Sequence, residues 1–478
     1  MKIETHSSRK SEKASTSVSE GGLARFGLKL ASWSERWFPD PLVFALAGVV
    51  IVFIFGLLLR QSPAKLAIQG GKNFWTLVPF TMQMVMVIIG GYVVATTPVV
   101  HRLILIIAKI PKSGRSAVAI IALFSMLTSF LSWGLSLIFS GLLCREMARR
   151  VKTMDYRSAG AAGYLGLGAV WALGLSSSAA MLMATKSAIP PSLFAIAGVI
   201  PLRQTIFLWQ GILMALVLVA VCTTIAYLSS PSPKNAKTFD HFGLEYEAVD
   251  RPIEPRTKPG EWLEYSPLLT VLVVAMLGWY IVDVFRTSPR GALAALDLNT
   301  YNLIFLTVGL LLHWRPKSFI RAVSECIPAT GGVLIQFPFY AVIFGMIVGT
   351  GMSDWLAGIF TRITTQSTYP LLVALYSALI GLFVPSGGSR WVIEAPYVLQ
   401  AAIVHHVHMG WVVQIYNASE ALPNMVNPFW MLPLLGILKL KARDIVGFGV
   451  LQLMVTAPIV FFLSWLFAQY IPFVPPMR

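Results

Sequence analysis

Between Arg362 and Lys439 the sequence carries only three formally charged residues, Arg390, Glu394 and Glu420, and all three stand in strongly apolar surroundings. On insertion scales a charge at the centre of a membrane helix costs about 2.5–3.5 kcal/mol, so charges kept there are expected to pair or to act. Arg390 and Glu394 are four positions apart, which places them on one face of a helix and lets them neutralise each other. The planar fork of Arg390 suits a substrate carboxylate, and Glu394 or Glu420 could carry a coupling proton. The structural alternatives are a buried staple or a pair near the membrane interface that snorkels.

Around these charges lie four polar interruptions of apolar runs: Ser132, Trp133 and Gly134; Ser176, Ser177 and Ser178; Ser386, Gly387, Gly388 and Ser389; and Asn424 and Asn427. Unwound backbone at membrane depth is tolerated only where protein buries it or where it lines a watery cavity. A helix restarting after such a break presents free N–H groups, which suit an anion. Serine and asparagine add donors and acceptors, while glycine lets a ligand approach the backbone. The competing reading is that these are small residues for close helix packing.

Other candidates carry less chemistry. His405, His406 and His408 point in different directions on a helix and lack an acidic companion, which favours a loop or membrane-edge role over a metal site. Cys144, Cys222 and Cys326 fall in or beside apolar runs without metal-ligand spacing. The glycosylation match at Asn417 to Ser419 adjoins a membrane-buried break and is discounted. No cofactor is expected beyond a coupling ion: hydroxyl, amide and backbone oxygens at the breaks would suit Na⁺, and the two glutamates would allow H⁺.

The elements that must position these residues are membrane helices. Of 478 residues, 56% are hydrophobic and 12% charged, about half the charged share of a soluble domain. Charge-free windows such as 42–59, 74–100, 116–144, 158–185, 204–233, 326–353, 363–389 and 445–477 recur along the chain, and about 20 apolar residues suffice for one crossing. The net charge of +16 could point to nucleic acid, but the basic residues cluster between windows, at Arg145 to Arg157, His313 to Arg321 and Lys439 to Arg443. That is the positive-inside pattern of a polytopic protein. The basic amino terminus then predicts a cytoplasmic N-terminus, with no signal peptide evident.

The predicted organisation is a basic, disordered head over 1–30, a first membrane repeat over 31–228, a polar linker over 229–265 and a second repeat over 266–478. Ala122 to Leu127 resembles Ala374 to Leu379, and a Gly/Ser-rich break follows each. Upstream, Gln83 precedes Ala122 by 39 positions and Gln336 precedes Ala374 by 38. Interruptions at corresponding places in two halves are the best sequence pointer to a transporter site. The expected fold is therefore an all-α polytopic membrane protein with two inverted repeats, re-entrant hairpins and broken transmembrane helices.

With Trp37 to Phe44, Phe80 to Met84, Trp133 and Gly134 followed by Arg145 to Arg150, Gln336 to Tyr340, Val384 to Gly388, Trp391 to Ile393, and Asn427 to Trp430 in view, the chain resembles the bacterial short-chain fatty acid transporters of the ion-transporter superfamily. The resemblance implies uptake of small monocarboxylates such as butyrate or acetoacetate across the bacterial inner membrane, and it allows a homodimer. It also implies hairpin tips at Ser132–Gly134 and Ser386–Ser389, facing unwound segments at Ser176–Ser178 and Asn424–Asn427. The family tends to have Asn, His and Gln where this chain has Ser132, Arg390 and Glu394. The principal expectation is a secondary transporter working by alternating access coupled to a cation gradient. The alternatives are a carrier of other organic anions, such as di- or tricarboxylates, a membrane-embedded enzyme, which lacks a catalytic set among the breaks, and a channel or cation antiporter.

Overall fold

A computed structural model describes residues 41–244, 255–289, 291–383 and 387–476. The predicted head and Ser386 lie outside the described residues, as does part of the predicted linker. The protein is all-α and polytopic: among the described residues, seven helical runs are long and apolar enough to cross a membrane, and an eighth appears if one bent pair counts as a single span.

The first half runs α1 (Pro41–Leu58), α2 (Pro63–Asn73), α3 (Val78–Ala95), α4 (Pro98–Ile107), α5 (Gly114–Leu131), α6 (Trp133–Arg150), α7 (Tyr156–Leu165), α8 (Ser178–Ala184), α9 (Pro191–Ala197) and α10 (Trp209–Ser229). The second begins with an additional helix, α11 (Leu268–Thr287), then continues α12 (Leu298–His313), α13 (Pro316–Cys326), α14 (Gly331–Gly349), α15 (Met352–Ile363), α16 (Tyr369–Phe383), α17 (Gly387–Val404), α18 (Met409–Ala421), α19 (Pro428–Leu438) and α20 (Ala442–Ala468). From α1 and α12 onward the order matches: an amphipathic segment, a long apolar helix, a short connector, two helices split by a break, a broken run and a terminal span.

Local chemistry sets these boundaries. Proline opens α2, α4 and α13, where its missing N–H costs nothing. Side chains cap α5 from Ser113, α6 from Ser132, α7 from Asp155 and α8 from Ser177. Many apolar side chains of the outer helices face outward, including Trp279, Met276 and Leu272 on α11, as a bilayer requires.

The halves exchange partners. α2 packs on α14 and α13 on α3; α1 packs on α14 and α12 on α3; α6 meets α19 and α17 meets α8; α10 and α20 pack on each other. Gln83 and Gln336 are each the sixth residue of their helix, α3 and α14. Such reciprocity is what a two-fold axis between related halves would produce.

Asp155 ties the linker to this body. It is fully buried, caps Ser158 N at 2.9 Å, accepts Lys237 N at 2.9 Å and pairs with Arg157 at 2.8 Å. Asp155→Ala strips all three partners at once, and an unmade buried hydrogen bond costs about 1–3 kcal/mol. Thermal unfolding of the detergent-solubilised protein is therefore expected to shift down by several degrees, with Asp155→Asn losing less.

Candidate functional site

The first hairpin is built by serines. Ser132 is the single residue between α5 and α6, and Ser136 Oγ donates to Ser125 O at 2.7 Å across the fold-back. Opposite it, α7 loosens into a π-turn at Gly166–Val170 and a 3₁₀ turn at Trp171–Leu173. Here α5 supplies hydrogen bonds that an uninterrupted helix would make for itself. Ser125 Oγ accepts Gly166 N at 2.7 Å and donates to Gly163 O at 3.0 Å, and Ser129 Oγ donates to Gly166 O at 2.8 Å. A Cβ at Gly166 would collide with Ser136 Oγ and Ser125 O, so only glycine allows this contact. Tyr301 of α12 donates to Leu131 O at 2.7 Å and steadies the hairpin tip.

The second half makes the equivalent breaks with charge. α17 starts at Gly387, and a 3₁₀ turn at Leu422–Met425 separates α18 from α19. Arg390, Glu394 and Glu420 are only 2%, 1% and 3% exposed. Arg390 Nη2 donates to Glu420 Oε2 at 3.1 Å, and its Nε lies 3.3 Å from Glu394 Oε1 and 3.3 Å from the Tyr416 oxygen. Ser377 Oγ donates to Glu394 Oε2 at 3.1 Å. Tyr416 OH donates in turn to Gly387 O, so one phenol joins the guanidinium to the start of α17.

All four breaks border one cavity. Its wall includes Trp133 from the first hairpin, Leu167, Trp171 and Ser178 from the second break, Gly387 and Gly388 from the second hairpin, and Asn424 and Trp430 from the last. Met84 and Ile88 of α3 and Val333 and Phe337 of α14 complete it. It offers about 40 Å³ to the centre of a water-sized sphere and is partly open to the outside. Trp133 and Trp430 meet edge to face at 5.8 Å across it. Among the described residues, no charged side chain lines this cavity, and α6, α17 and α19 all begin beside it. It combines apolar walls with the first turns of three helices, a combination suited to a small amphipathic anion.

The sequence candidates thus separate into layers. Trp133, Ser178, Gly387, Gly388 and Asn424 line the cavity. Ser132 and Ser177 cap helices beside it, and Gly134 is the second residue of α6. Ser176, Ser389 and Asn427 are buried near it. Arg390, Glu394 and Glu420 stand outside the wall, where the guanidinium already faces two carboxylates. Gln83 turns away to Asn299 at 2.6 Å, while Phe337, adjacent to Gln336, reaches the wall. His405, His406 and His408 sit in and around the turn between α17 and α18, with His408 capping Trp411 N at 3.0 Å.

Trp171, Trp430 and Tyr416 were not singled out from sequence. Tyr416 precedes Glu420 by one helical turn, and that spacing was its available signal.

This architecture defines a multi-pass membrane protein. The fold is similar to the YdaH transporter of Alcanivorax borkumensis, with a TM-score of 0.59 and 12% identity over 91% of this chain and 100% of that one. It is also similar to Neisseria gonorrhoeae MtrF, described within a class of antimetabolite efflux pumps, with a TM-score of 0.57 and 12% identity over 94% and 98%. These likenesses establish the fold alone. Sequence supplies the family: the model described as "Short chain fatty acid transporter" matches residues 22–467. A "Putative short-chain fatty acid transporter" of Escherichia coli (strain K12) is 34% identical over 91% of this chain and 97% of its own length. One of the same name from Haemophilus influenzae (strain ATCC 51907 / DSM 11121 / KW20 / Rd) is 31% identical over 91% and 98%. The chain belongs to the short-chain fatty acid transporter family, and it is a transporter rather than an enzyme.

Removing one member of a buried ion cluster strands the others, typically at about 3–5 kcal/mol, whereas neutralising the whole cluster costs far less. Arg390→Met is therefore expected to lower the apparent melting temperature sharply. The triple variant Arg390→Met, Glu394→Gln, Glu420→Gln is expected to recover most of the loss.

Proposed function

We propose that the protein moves short-chain monocarboxylates such as butyrate or acetoacetate across the bacterial inner membrane by alternating access, coupled to a cation gradient. The observation that carries this reading is the meeting of four helix breaks on one cavity that has indole walls and, among the described residues, no lining charge. A short acyl chain would lie against Trp133, Trp171 and Trp430, and its carboxylate would take the N–H groups at Gly387 and Gly388 with Ser178 and Asn424. Family membership supports the monocarboxylate class.

The contacts also support inversion of the halves. Tyr156 at the start of α7 bonds Leu438 O at the end of α19, whereas Gly410 at the start of α18 abuts Gln204. Equivalent helix starts thus lie at opposite ends of the body. Leu298 N bonds Thr185 Oγ1 at the end of α8, so α12 carries His313 back to the Tyr156 end. The three basic clusters therefore share one end, which favours that end as cytoplasmic.

Uptake of labelled acetoacetate and butyrate into proteoliposomes tests the reading. Saturable uptake by the parent is expected, with Ser178→Ala combined with Asn424→Ala reducing it at least tenfold in well-folded protein. Absence of uptake by folded parent under either a Na⁺ or a proton gradient would sink the assignment.

A further inference from the structure

The triad beside the cavity has one formal positive charge and two negative ones. Arg390, Glu394 and Glu420 are all more than nine-tenths buried, so full ionisation would leave an uncompensated charge away from water.

The titratable and polar groups in and around the triad can be named element by element, and of these Arg390, Glu394 and Tyr416 interact with Glu420 itself. α17 presents Arg390, Glu394 and Tyr397; α16 presents Tyr376, hydrogen-bonded to Tyr397 at 2.9 Å, and Ser377; α14 presents Tyr340; α18 itself supplies Tyr416. The turns at Gly166–Leu173 and Leu422–Met425, and α8, contain no charged residue. The charged residues of α20, Arg443 and Asp444, sit in its first turn, where Asp444 accepts Lys441 N at 2.9 Å. Among the described residues, no second cation faces the extra carboxylate.

The two carboxylates are placed differently. Glu394 Oε2 accepts from Ser377, and its Oε1, without a hydrogen-bond partner among the described residues, lies 3.3 Å from the Arg390 Nε. Glu420 gives Oε2 to Arg390, but its Oε1 is buried without a hydrogen-bond partner among the described residues. That oxygen presses on the start of α17: a Cβ added to Gly387 would lie 2.7 Å from it and 2.7 Å from Trp171 Cη2. Gly387 and Trp171 both line the cavity.

We propose that Glu420 carries one exchangeable proton on Oε1, and that this proton is the ion coupled to carboxylate transport. The inference rests on the carrier reading above and adds its ion. A proton from water on one side bonds to Oε1, converting the carboxylate to the acid and leaving Arg390 matched to Glu394 alone. It returns to water on the other side when the carrier has turned over. One proton travelling with one monocarboxylate makes each cycle electroneutral. Contact between Oε1 and Gly387, together with the Tyr416 link from Arg390 to Gly387 O, makes the triad sensitive to occupancy of the cavity.

Calorimetry of acetoacetate binding to the full chain in nanodiscs, in buffers of different ionisation heat from about pH 6 to about pH 9, counts the protons taken up. The parent is expected to approach one proton per acetoacetate at the alkaline end, with affinity falling about tenfold per pH unit there. Glu420→Gln is expected to bind with uptake near zero and a flat profile, while Glu394→Gln keeps the proton. A parent that binds with no proton uptake and a flat profile, or that requires Na⁺ instead, overturns the proposal even if Glu420→Gln does not fold. Proton uptake persisting in folded Glu420→Gln overturns the assignment to Glu420. A folded parent that does not bind acetoacetate at all overturns the carrier reading itself.

Discussion

A helix interrupted within hydrocarbon strands backbone N–H and C=O groups, each of which must find a partner in protein. In the first half the partners are hydroxyls. Ser125 and Ser129 of α5 bridge the π-turn of the facing segment, and Ser136 returns a bond to Ser125 O. Because the unwound backbone is satisfied from the side, it can persist at the cavity without pulling water into the packing. The close approach that makes this possible needs a bare Cα at Gly166.

The second half meets the same demand at higher electrostatic stakes. Ser377 occupies the place in its hairpin helix that Ser125 occupies in the first, but it donates to Glu394 instead of to backbone. Arg390 then links Glu394, Glu420 and Tyr416, and Tyr416 holds Gly387 O. Two solutions to one geometric problem give the molecule an uneven pair of hairpins: one is held by neutral bonds insensitive to pH, the other by ionised groups. Any response to ions is concentrated in the second.

Much of this was legible in the sequence. Charge-free windows marked the helices, because every charge in hydrocarbon needs a reason to be there. The match between Ala122–Leu127 and Ala374–Leu379 aligned Ser125 with Ser377. Gly, Ser and Asn at the breaks marked the cavity, since unwound backbone requires such residues. What periodicity could not convey was direction. Arg390 looked available to a substrate carboxylate, yet its guanidinium is surrounded by the chain's own acids; its partner Glu420 is 30 positions away and reaches it only through packing of α17 on α18. Indoles at Trp171 and Trp430 were hidden for the same reason, as aromatic residues abound in any membrane segment.

The reciprocal packing of the halves has a consequence for how the chain is made. α3 is covered by α12 and α13, and α14 closes over α1 and α2, so these three helices of the first half gain that cover only from the second. At about 5–20 residues per second, the roughly 200 positions between the end of α3 and the start of α12 take on the order of 10–40 s to synthesise. During that interval the inward faces of α1, α2 and α3 must be sheltered by lipid or by the insertion machinery. Closure over these helices is thus a late event of synthesis, and truncation anywhere before α14 leaves α1 and α2 without their cover.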